Sequence, residues 1–153
     1  MNYLCHARDH VASPYALAGT ALPDWLRVLS RRHRFRADGL PTAPEGDDTP
    51  EAELVRGVNA HYTDDRWFHA SDAFESTSAL VTEEIRRRYP DPLGAPRARF
   101  IRASFYGHIV PELLLDAVLM ERRPDFVDRY YAALEDVDAP RVMRFAAAHL
   151  DLE

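Results

Sequence analysis

The chain has 153 residues, 46% of them hydrophobic and 29% charged, with a net charge of -6 and a single cysteine. That length allows one domain with a core needing no staples, and one cysteine excludes an internal disulfide. The acidic balance argues against general nucleic-acid binding, and no uninterrupted apolar run nears the roughly 18 residues of a membrane span. A cytoplasmic protein that binds neither nucleic acid nor membrane is expected. All 19 basic residues are arginines, so chemistry through a Schiff-base lysine is excluded.

The apolar residues recur at helical spacing almost throughout, predicting an all-α, single-domain bundle of six to seven helices. Asn2 can cap a first helix running to about Val11. Ser13-Pro14 is a start signal for a second, in which Pro23 marks a break or restart. Residues 37–50, ADGLPTAPEGDDTP, hold three prolines, two glycines and four acidic groups, predicting a mobile loop. Thr49-Pro50-Glu51 opens a helix to about Ala70 with a cap, a first-turn proline and early negative charge. Ser71-Asp72 interrupts before a further helix ending at Arg86, Arg87 and Arg88. A second loop follows at 89–96. A long apolar helix is then expected from about Arg97 to Arg122, kinked by Pro111 so that a carbonyl is freed nearby. Pro124 and Pro140 open two last helices.

Two of these helices carry chemistry at four-residue spacing: His61, Asp65 and His69 on one, His108, Glu112 and Asp116 on the other. Residues four apart stack on one helix face. Apolar neighbours flank both triplets, Val58 and Tyr62 on the first, Phe105, Ile109 and Leu113 on the second. Polar groups within a buried stripe lose their water and need one another, a metal or a ligand. His61 and His108 are therefore expected to meet across a helix contact, with Asp65 and Glu112 or Asp116 at the same point. His69 drifts off the stripe and is a weaker candidate. His6, beside Cys5, and Asp24 complete the set. Imidazole and carboxylate together suit a borderline divalent ion. Glu112 and Asp116 fit as ligands, as supports of the ligands or as a general base; equally, they can stabilise the kink or pair with arginine. Arg27, Arg31, Arg32, Arg34 and Arg36 form a cluster able to grip phosphate or an acidic partner, although solvated helix ends account for many such runs.

The segments MNYLCHA (1–7), LAGTALPDWLRV (17–28), GVNAHYTDDRWF (57–68) and SFYGHIVPELLLD (104–116), in that order, resemble the acyl carrier protein phosphodiesterase (ACP hydrolase) family. That family is all-helical and distantly related to HD-domain phosphohydrolases, so the resemblance implies an HD-domain-like fold. It also implies hydrolytic release of 4′-phosphopantetheine from acyl carrier protein with a divalent metal, typically Mn²⁺. Met1 through His6 match the family's opening run, His61 and Asp65 its histidine followed four residues later by aspartate, and His108 its late histidine. Three positions depart. Arg8 stands for a second N-terminal histidine, His69 for an aspartate, and Gly107 for the aspartate before the late histidine. The resemblance makes His6, Asp24, His61, Asp65 and His108 the expected metal set, with Asp65, Glu112 and Asp116 as catalytic candidates. Arg27, Arg31 and Arg32 would then dock a carrier protein or a small phosphodiester. The rival expectation is a non-catalytic helical interaction domain of the same ancestry, with a buried polar network.

Overall fold

The structure, a computed structural model, describes residues 2–29, 33–35, 40, 42–89 and 103–152. Among these the fold is an all-α bundle of seven helices: α1 (Tyr3–Ala7), α2 (Pro14–Leu29), α3 (Pro50–His69), α4 (Asp72–Arg88), α5 (Ala103–Arg122), α6 (Phe126–Glu135) and α7 (Ala139–His149). The sole β pairing among the described residues is a two-residue antiparallel ladder. It joins β1 (His33–Arg34) to β2 (Asp151–Leu152), with His33 opposite Leu152 and Arg34 opposite Asp151.

Local chemistry sets the helix ends. Thr49 accepts from the Ala52 N–H at 3.4 Å, and Pro50 with Glu51 and Glu53 fills the first turn of α3. Ser71 ends the run by capping α4, its hydroxyl oxygen accepting from the Phe74 N–H at 3.2 Å. The first helix is shorter than expected: α1 closes at Ala7 and the chain continues in turns before Pro14. Pro23 does not break α2, which runs through it. Its ring removes only the N–H that would have reached Gly19, and the helix absorbs that loss within one turn. Pro111 likewise lies within α5.

Two helix pairs dominate, α2 on α3 and α4 on α5, with α1 wedged against α2, α3, α5 and α6. The α2–α3 contact is glycine-mediated. A Cβ on Gly57 would stand 2.8 Å from the Gly19 Cα and collide with the Ala16 carbonyl; one on Gly19 would stand 2.6 Å from the Leu54 carbonyl. Both obstacles are backbone and cannot rotate away. Gly57→Ala is therefore expected to destabilise the fold by about 3 kcal/mol, at the upper end for overpacking. That corresponds to a melting temperature lower by roughly 6–12 °C in a chain of this size. A thermal melt within 2 °C of the parent would refute the close approach.

The core beside this crossing includes Leu22, Phe35, Leu54, Val58 and Phe145, and a second cluster gathers Ala7, Leu17, Phe126 and Tyr130. The loop expected at 37–50 falls partly on residues 37–39 and 41, outside the described residues. Leu40 is buried, and Asn59 grips both of its backbone groups, accepting its N–H at 2.8 Å and donating to its carbonyl at 3.0 Å. Residues 97–102, expected to begin the fifth helix, also lie outside the described residues, as does most of the 89–96 loop. Helix α5 is long and apolar enough, by length and composition, to cross a membrane. Counting only uninterrupted apolar runs missed this, because His108, Glu112 and Asp116 punctuate the stretch.

Candidate metal centre

One helical turn beyond the glycine crossing, His61 points from α3 toward α2. The crossing brings its ring to the carbonyl of Thr20, which accepts a hydrogen bond from Nδ1 at 2.9 Å. Thr20 lies within the turn that precedes Pro23 in α2. His61 is 2% exposed. Burial, aided by the neighbouring His6, pushes its pKa down to about 4, so the ring is neutral at physiological pH. Since a carbonyl can only accept, the one ring proton sits on Nδ1 and Nε2 is a bare lone pair.

That lone pair faces Asp65. The Nε2 atom is 3.6 Å from Asp65 Oδ2, while His6 Nε2 lies 3.1 Å from Oδ1. Burial works to raise the Asp65 pKa, but the His6 hydrogen bond and nearby positive charge outweigh it, and the carboxyl is held well below the usual range. An ionised, partly buried carboxylate and a buried, bare imidazole nitrogen face each other as two acceptors. A cation between them resolves the conflict. The His6 and His61 rings stack at 4.2 Å between centroids, and His6 Nδ1 is buried without a hydrogen-bond partner, 3.6 Å from Asp64 Oδ2. If Nε2 of His6 ligates an ion, its proton moves to Nδ1 and points at Asp64, the arrangement in which a carboxylate orients a metal-bound histidine. One ligand atom from each of His6, His61 and Asp65 falls within 4.8 Å of the others.

A second group of the same kind lies toward the end of α3. One atom each from His69, His108 and Glu112 again fall within 4.8 Å of one another. The expected single centre is thus divided. His108 meets His69, not His61, with ring centroids 4.7 Å apart, and both Nε2 atoms approach Glu112 Oε1, at 2.9 Å from His69 and 3.3 Å from His108. His69, judged the weaker candidate, is the residue of α3 that reaches α5.

Asp116, expected as a catalytic carboxylate, instead receives the backbone N–H groups of Leu4 (3.2 Å) and Cys5 (2.9 Å). It anchors α1 to α5 and so positions His6. It also faces the Cys5 thiol, which burial and Asp116 together push up to about 12. Thiolate is then scarce at pH 8 and grows with pH well beyond 10. An aromatic disulfide reagent at pH 8 should react roughly 30–100-fold more slowly with Cys5 than with the denatured chain, after allowing for the greater nucleophilicity of a high-pKa thiolate. Equal rates would show that Asp116 does not face the thiol.

Asp24 is partly buried, and its pKa is raised by burial and then by the charge of Asp65. It stands near the first group without joining the atoms within 4.8 Å. Arg27 is exposed, close enough to Asp24 for its charge to be felt. Arg31, Arg32 and Arg36 lie outside the described residues. Arg87 and Arg88 pair with Glu84 on the surface.

The fold and the two groups define an all-α bundle with two sets of side chains that could hold a metal ion. No protein-family model matches the chain, nor does any curated protein or solved structure.

Proposed function

We propose that this protein is a metal-dependent hydrolase of phosphodiesters, with His6, His61 and Asp65 as its metal ligands. The observation that carries the reading is the bare Nε2 of buried His61 directed at ionised, partly buried Asp65. Two imidazoles and one carboxylate leave coordination positions open, as catalytic rather than structural sites do. They suit Mn²⁺, Fe²⁺ or Zn²⁺, and the sequence resemblance favours Mn²⁺. When bound, such an ion supplies hydroxide at neutral pH and offsets charge on phosphoryl oxygens.

The chain's own residues support this chemistry in distinct ways. Thr20 fixes the His61 tautomer, and the neutral ring keeps its lone pair available at physiological pH. Asp64, half-exposed, is placed to hold the His6 ring once Nδ1 carries the proton. Asp116 secures the short helix that delivers His6. Water adds to phosphorus, the ester P–O bond breaks, and the leaving alkoxide takes a proton, giving a phosphomonoester and an alcohol. The resemblance points to the phosphopantetheine ester of acyl carrier protein as substrate, with Arg27 on the docking side of the site.

The purified protein with Mn²⁺ is expected to release phosphopantetheine from holo-acyl carrier protein. A small chromogenic phosphodiester tests the chemistry without the docking step. Absence of both activities across Mn²⁺, Fe²⁺ and Zn²⁺ would overturn the proposal. It would favour the non-catalytic rival, for which the direct His6–Asp65 hydrogen bond speaks.

A further inference from the structure

We propose that His69, His108 and Glu112 form a second divalent-metal site, separate from the His6–His61–Asp65 group and more open to solvent. Both imidazoles present Nε2 to the same oxygen of one buried carboxylate. Two donor hydrogens crowding a single oxygen is a poor use of two rings, whereas an ion accepts a lone pair from each. The spacing fits. Ligands at about 2.0–2.1 Å from an octahedral or tetrahedral ion stand about 2.8–3.4 Å from one another, and the observed separations are 2.9 and 3.3 Å.

The rings are held before any ion arrives. Phe74 packs against both, with centroids 4.7 Å from His69 and 5.3 Å from His108, and Phe68 lies 4.9 Å from Phe74. Ser71 caps α4 at Phe74 and so fixes this aromatic wall. Gly107 brings α5 against α4 beside it, since a Cβ there would stand 2.7 Å from the Ser78 carbonyl. Glu112 is 8% exposed, but the His108 side chain is 48% exposed. An ion here keeps contact with water and exchanges readily. Two nitrogens and one oxygen select a borderline ion, Co²⁺, Zn²⁺ or Mn²⁺, over Mg²⁺ or Ca²⁺. Asp65 and His69 are one turn apart on α3, so the two sites stand on the order of 6 Å apart along the helix axis. That is wider than the 3.5–4 Å of a shared two-metal centre, and the sites should fill independently. The inference stands whether or not the first site is catalytic.

The test is a titration of chelator-stripped, full-length protein with Co²⁺, followed by calorimetry and visible absorption. Two equivalents are expected for the parent. His108→Ala changes a half-exposed side chain and should fold normally, a point checked by circular dichroism; it should weaken the second equivalent by at least about 100-fold and leave the first intact. Glu112→Gln should do the same, and His61→Ala the converse. One equivalent, lost in His61→Ala and unchanged in His108→Ala, would overturn the second site while leaving the hydrolase reading in place. One equivalent lost only in His108→Ala would keep the second site and remove the first. Two equivalents persisting in a His108→Ala/Glu112→Gln double variant, or none in the parent, would also overturn it.

Discussion

Asp65→Ala is expected to abolish metal occupancy at the His6–His61 site and to lower phosphodiester hydrolysis by about 10³-fold or more. The carboxylate contributes the only formal negative charge within that ligand group, and it is the partner common to both imidazoles. Without it an ion would rest on two neutral nitrogens of buried side chains, where uncompensated charge is costly. On the proposed reading, loss of the ion would remove both the source of hydroxide and the stabilisation of charge on the phosphoryl oxygens. The alanine also strips a part-buried acceptor from His6, so a structural collapse must be separated from a chemical loss. Asp65→Asn makes that separation: it keeps the volume and one acceptor for His6 Nε2 but carries no charge. Its metal-free form should fold, melting somewhat below the parent because the depressed carboxyl pKa makes the charge stabilising, while binding no ion and turning over no substrate. Metal content by atomic emission and turnover with Mn²⁺ read the two effects independently. Full occupancy and unchanged turnover in a folded Asp65→Asn protein would remove Asp65 from the site.

How far the sequence foretells this arrangement depends on how local each determinant is. The start of α3 is written in Thr49, Pro50 and Glu51, and the pairing of His61 with Asp65 in their spacing on one helix. Both are legible because neither needs a distant partner. The division into two sites is not. A stripe at strict four-residue spacing drifts by about 40° per step, because 3.6 residues complete a turn. His61 and His69 therefore differ by about 80° around the axis. The first looks toward α2 and α1, the second toward α5. Reading the stripe as one face led to one centre. The pairing of helices also lay outside the pattern: α3 packs mainly on α2 through Gly19 and Gly57, and α5 on α4. Small residues that permit close crossings announce little in a hydrophobic pattern. Asp116 was misplaced for a related reason, since nothing near it in sequence reveals that the N–H groups of a five-residue helix, more than a hundred positions earlier, are waiting for an acceptor.

That same contact carries the second large expected effect. Asp116→Ala should lower stability by about 2–4 kcal/mol, since two hydrogen bonds to an ionised group are lost from a part-buried setting. The melting temperature should fall by roughly 5–15 °C. The functional consequence is more specific than the loss of stability. First-turn N–H groups of α1 have no partners within the helix, and α1 has too few residues to persist by itself. Released from α5, it should fray and withdraw His6 from Asp65. Metal at the first site should then be lost although Asp116 is not one of the three grouped ligands. The His69–His108–Glu112 group, whose members come from α3 and α5, should keep its ion. Asp116→Asn should fall between parent and alanine, because its one carbonyl oxygen can serve one of the two N–H groups while its amide opposes the other. Amide hydrogen exchange at Leu4 and Cys5, read beside metal stoichiometry, follows the chain of cause directly. Fast exchange at those amides with one equivalent retained is the expected pair of results. Slow exchange at Leu4 and Cys5 in the alanine variant would mean that α1 is held by its apolar contacts with Leu17, Phe126 and Tyr130 alone, and that Asp116 has no part in placing His6.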